Sequence, residues 1–197
     1  LCRVDIICLF FVILTILLIE RHIDKPWTYA LTSFLSILTK QTSVALFTTI
    51  FVYLLLKKRD RFKIFVIWSG LLSLTVGGVL IARFRRGIVC HLITYNIQEY
   101  SLVNMYLARI LAFTSLHSAI LLVLLVYSLI KVIKRSYNFI VLYYAVLFIY
   151  SHIIAMKIGS TQNYFTELAV ISSIAFAEFI RDIQQYMHCL LYTSPSP

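Results

Sequence analysis

Charge is scarce in this chain. Only 13% of its residues are Asp, Glu, Lys or Arg, about half the share typical of a soluble domain. The four cysteines, Cys2, Cys8, Cys90 and Cys189, show no paired spacing, which excludes a disulfide framework. No glycine-rich phosphate loop is present, and no Cys/His group has metal-site spacing, so neither a nucleotide-cradling loop nor a structural metal site is expected. What fills the space is apolar: 61% of the 197 residues are hydrophobic and mean hydropathy is +0.90. Several apolar runs approach 20 residues, the length that spans a bilayer as a helix. The expected fold class is all-α, a polytopic transmembrane helical bundle.

Lys and Arg exceed Asp and Glu by 10. In a soluble protein such an excess points to nucleic acid. In an apolar chain the positive-inside rule and anionic headgroups account for it, and membrane lipids, with no nucleic acid, are the expected partners.

Apolar runs between charges give passes at 4–19, 64–82, 107–130, 138–156 and 164–180, and one run of 31 residues, Pro26–Leu56, that is broken only by Lys40. A single helix over that run would be about 46 Å long, against a hydrocarbon core of about 30 Å. A lone lysine at mid-bilayer costs roughly 2.5–3.5 kcal/mol. Two short passes, 26–39 and 41–56, turning at Lys40, resolve both difficulties and bring the expected number of passes to about seven. Pro26 suits the first turn of such a helix. This hairpin also puts Arg21, Lys25, KKRDRFK (57–63), KVIKR (131–135) and Arg181 on one side, where they make eleven of the eighteen basic residues. That side is assigned as cytoplasmic.

Polar groups then collect at the other face, and each has two readings. Lys40 and Gln41 in TKQTS suit a cationic hook for phosphate, or a lysine that snorkels to the headgroups. Arg83, Arg85 and Arg86 in RFRR suit bidentate recognition of a lipid-linked phosphate, or plain headgroup contact. His91 and Asn96, in HLITYN, suit acid–base work and sugar hydroxyls, or an interfacial helix. Asn163 and Glu167 lie four apart on one helix face beside Tyr164. They suit ligand contact or an interhelical polar contact. Asp5 suits a sugar hydroxyl, a metal or a local ion pair.

Four segments, RVDIICLFFVILTILLIER, LSILTKQTSVALFTTIFVYLLLKKR, GIVCHLITYNIQEYSL and KIGSTQNYFTEL, resemble in this order the bacterial GT-C superfamily of multi-pass membrane glycosyltransferases. That superfamily includes the aminoarabinose transferase acting on lipid A and the protein O-mannosyltransferases. TKQT followed much later by NYF-x-E is the most telling pair. The resemblance implies transfer of a sugar from a polyprenyl-phosphate-linked donor at the extracytoplasmic face of the bacterial cytoplasmic membrane. It implies donor-phosphate contact for Lys40, Gln41, Arg83, Arg85 and Arg86, and sugar or acceptor contact for Asp5, His91, Asn96, Asn163, Tyr164 and Glu167. A divalent cation is compatible with this chemistry, but no residue is assigned to it. The family's catalytic aspartate lies in a first outer loop, which is expected upstream of Leu1, so no catalytic residue is named in this chain. A transporter or flippase of a lipid-linked saccharide shares the cationic cleft, and a non-catalytic membrane subunit would need none. The tail CLLYTSPSP (189–197) matches, in all nine residues, an in-frame reading of the sequencing adapter TGTCTCTTATACACATCTCCGAGCCC. Residues 1–188 are therefore expected to be a piece of a larger membrane domain, and 189–197 a non-native tail.

Overall fold

The computed structural model describes residues 2–85, 87, 99–112, 115–157 and 165–193. Among these residues eight α-helices run in order: α1 (Cys2–Arg21), α2 (Pro26–Thr39), α3 (Val44–Lys57), α4 (Arg59–Phe84), α5 (Leu102–Ala112), α6 (Ser115–Ile133), α7 (Phe139–Ala155) and α8 (Thr166–Thr193). A 3₁₀ turn, Gln41–Ser43, sits between α2 and α3. Extended pairing among the described residues is limited to one antiparallel bridge, Tyr100 with Lys157.

The 26–56 run is broken where its one charge stands. α2 opens with Pro26, whose missing N–H costs nothing in a first turn. Its hydroxyls bond back onto its own carbonyls: Ser36 Oγ donates to Ser33 O and Thr39 Oγ1 to Ser36 O, both at 2.7 Å. Such back-bonding competes with the helical ladder. Lys40 then turns extended, at φ −151° and ψ 116°, and the 3₁₀ turn hands the chain on to α3.

Buried seams carry small hydroxylated residues. Thr15 of α1 donates to Thr32 of α2 at 2.8 Å, and both are buried, as are Ser33, Ser36, Ser43 and Thr49. Small residues at a seam let helix backbones approach closely. Large apolar side chains face outward instead, among them Phe10 on α1, Ile67, Leu74 and Val79 on α4, and Val126 on α6. α7 is apolar all round and lies in the middle. It packs on α3, α6 and α8, with smaller contacts to α5 and α1. Asn138 caps it by accepting from the Val141 N–H at 3.0 Å.

The two ends of the bundle differ. At one, Arg61 pairs with Asp24 at 2.6 Å, Lys57 Nζ donates to the Arg135 carbonyl at 2.9 Å, and Lys131 pairs with Asp182. All eleven basic residues grouped by the sequence reading belong to this basic end. At the other, Lys40 pairs with Asp5. There the Asn104 amide donates to the carbonyls of Ala155 and Lys157, and the Ser101 N–H to that of Met156.

Of the run 107–130, residues 107–112 lie in α5 and 115–130 in α6. Among the described helices only α4, with 26 residues, is both long and apolar enough to cross a bilayer. At 14 residues each, α2 and α3 are about 21 Å long, short of a core about 30 Å thick.

Candidate functional site

Three elements remote in sequence meet at the Lys40 end. Asp5 stands in the first turn of α1 and Glu167 in the first turn of α8, positions where the helix dipole favours a carboxylate. Lys40, freed from helical geometry, reaches between them. Its Nζ lies 2.5 Å from Asp5 Oδ1, and both side chains keep 19% of their surface exposed. Glu167 accepts a hydrogen bond from the Tyr143 hydroxyl of α7. One turn below Asp5, Cys8 Sγ lies 2.8 Å from Ser43 Oγ, which ties α1 to the 3₁₀ turn.

Asp5, Cys8, Leu9, Lys40, Thr166 and Glu167 line a small cleft of about 10 Å³, room for about one water molecule. One ammonium faces two carboxylates across it. An arriving anion can bind the ammonium only by displacing or sharing Asp5, and either carboxylate can take a proton from a nearby hydroxyl.

The structure therefore brings together Asp5, Lys40 and Glu167 of the residues singled out in sequence. Gln41 opens the adjoining 3₁₀ turn on its exposed side. Arg83, in the last turn of α4, and Arg85, just beyond it at φ 47°, are exposed and do not line the cleft. Arg86, His91, Asn96, Asn163 and Tyr164 lie outside the described residues. So does Leu1, the position upstream of which the resemblance expects the catalytic aspartate. The description begins at Cys2, and Asp5 is the first carboxylate in it.

Sequence reasoning missed Cys8, Thr166 and Tyr143. Cys8 was findable, being three residues from Asp5 and hence on its face. Tyr143, inside an apolar run, left no such signal. His152 was missed too: its ring lies 5.3 Å from that of Phe165, next to Thr166, and its Nε2 is buried with no hydrogen-bond partner among the described residues. Among the described residues no group of three or more His, Cys, Asp or Glu is placed to hold a metal ion.

No protein-family model, curated protein or solved structure matches this chain.

Proposed function

We propose that this chain forms part of the membrane domain of a glycosyltransferase that draws on a polyprenyl-phosphate-linked sugar. In this reading it is a bundle of about seven passes, with α2 and α3 as a short hairpin, and its Lys40 end faces the extracytoplasmic side of the bacterial cytoplasmic membrane. One observation carries the reading: the lysine that interrupts the longest apolar run sits at a helix break and shares a cleft with two carboxylates from distant elements. Ionisable residues at membrane depth generally mark pathways or sites. The resemblance to GT-C enzymes supplies the reaction.

In that reaction an acceptor hydroxyl attacks the anomeric carbon of the donor sugar. Its proton passes to the aspartate of the family's first outer loop. The carbon–oxygen bond to the lipid phosphate breaks, and the electron pair leaves on that phosphate oxygen. Lys40 moves from Asp5 to the phosphate and stabilises the developing charge, an interaction worth more in a dry cleft than in water. Arg83 and Arg85 join from the end of α4 once donor is bound.

Lys40→Met in the intact protein tests this, with transfer from a radiolabelled lipid-linked sugar as the readout. Losing one aligned donor at a developing oxyanion costs about 10²–10³ in rate. A drop of that size is expected, with Lys40→Arg falling less. Unchanged transfer by Lys40→Met overturns the phosphate role.

The broken α2–α3 pair also favours a second reading, because interrupted helices often frame transporter sites. A flippase would move lipid-linked sugar across vesicles without forming a glycosylated product, and product analysis separates the two.

A further inference from the structure

The basic end carries a second cationic feature that the transfer reaction does not use. Lys57 and Lys58 close α3 and lead into Arg59 of α4, while Lys134 and Arg135 form the turn after α6. Tertiary structure joins these two segments. Lys57 Nζ donates to the Arg135 carbonyl at 2.9 Å and lies 4.6 Å from the ring centroid of Tyr137. Behind the junction, buried Tyr137, Val141 and Leu142 of the α7 region pack with Val52 of α3 and Val132 of α6, so α3 and α6 flank one seam.

The turn is built to keep a cation. The Ser136 N–H bonds to the Lys131 carbonyl and the Arg135 N–H to the Val132 carbonyl. These are the two bonds of a Schellman cap, whose left-handed position normally takes glycine. Arg135 occupies it at φ 55°, a conformation unfavourable for a residue with a Cβ. Arg59 likewise stands where the dipole of α4 disfavours positive charge. Of the carboxylates at this end, Asp24, Asp182 and Glu178 are engaged by Arg61, Lys131 and Arg181, while Glu20 and Asp60 are exposed. Close in sequence to these cations, Leu55 and Leu56 on α3 and Ile130 and Ile133 on α6 are exposed. Ile133 is 80% exposed.

Cations together with exposed apolar side chains match one kind of molecule, with an anionic head and hydrocarbon tails. We propose that the α3–α4 junction and the α6–α7 turn form a binding surface for an anionic phospholipid of the surrounding membrane. Lys58, Arg59, Lys134 and Arg135 hold the headgroup phosphate, and the acyl chains lie along α3 and α6. Lys57 holds the two segments together. The surface is independent of the sugar-transfer reading.

The test uses the whole chain in detergent, measuring bound lipid by native mass spectrometry. Dioleoylphosphatidylglycerol is compared with dioleoylphosphatidylcholine, and soluble glycerol 1-phosphate serves as competitor. The variant is Lys58→Gln/Lys134→Gln/Arg135→Gly, which leaves Lys57 in place and relieves the left-handed turn, so the fold is preserved. The control, Arg21→Gln/Lys25→Gln/Arg109→Gln, removes the same charge elsewhere. Each cation near an anionic headgroup is worth about a fivefold change in affinity. The variant is expected to lose roughly 100-fold in phosphatidylglycerol affinity, and the control to lose less than about tenfold. Equal retention of the two lipids by the unaltered chain, an unaffected variant, a control as damaged as the variant, or displacement of the lipid by equimolar glycerol phosphate would each overturn the proposal.

Discussion

Lys40 and Asp5 illustrate what a single ion pair does in an apolar bundle. Each stabilises the other only while both are present, because a charge left alone at 19% exposure loses its partner without regaining full hydration. Lys40→Met is therefore expected to lower stability by about 1–3 kcal/mol. Asp5→Asn added to Lys40→Met should recover part of that loss, since it removes the orphaned carboxylate. Thermal unfolding of the two single variants and the double variant in detergent closes the cycle. Strict additivity would show that the pair is not coupled.

At the scale of elements, α7 and α8 depend on polar groups at the basic end. Asn138 caps α7, and its amide also donates to Glu178 of α8 at 3.1 Å. Asn138→Ala is expected to cost about 1 kcal/mol, the usual worth of an N-cap, seen as a lower melting temperature. A cost near zero would mean that α7 is held by packing alone. Asp182 links α6 to α8. Burial works against its ionisation, but hydrogen bonds from Lys131 and Tyr127, with the nearby charges of Lys131 and Arg181, hold its carboxyl below the ordinary 3.8. A carboxyl lower in the folded state adds stability at pH above its unfolded value and loses it as pH falls through the folded value. Melting between about pH 5 and pH 3 should therefore fall more steeply for the unaltered chain than for Asp182→Asn. Parallel curves would remove Asp182 from the acid response.

Across the whole molecule, α4 sets the scale. Its 26 residues make a rod about 39 Å long, and between Ile64 and Ala82 its outward side chains are apolar except for Ser73 and Thr75. The membrane reading predicts three labelling results in a background whose cysteines are replaced by serine. Leu74→Cys, on an outward face that is 75% exposed in the bare bundle, should resist a membrane-impermeant maleimide in vesicles. Lys58→Cys and Lys157→Cys should label from opposite sides. Ready labelling at position 74, or labelling of both lysine positions from one side, would count against a spanning bundle.

The sequence alone determined the all-helical class, the gathering of eleven basic residues at one end, and the break at Lys40. All three follow from local physics: apolar run length, the placement of charge, and the cost of a lysine in hydrocarbon. It also marked Asp5, Lys40 and Glu167 individually, because isolated charges in apolar runs stand out. Only the tertiary structure decided that these three share a cleft, that Tyr143 holds Glu167, and that Arg83 and Arg85 stand apart from it. The reason is that apolar period and charge report a residue's immediate neighbours along the chain. Which distant side chains meet depends on how helices pack, and here that packing is guided by small hydroxylated residues whose partners no single sequence names.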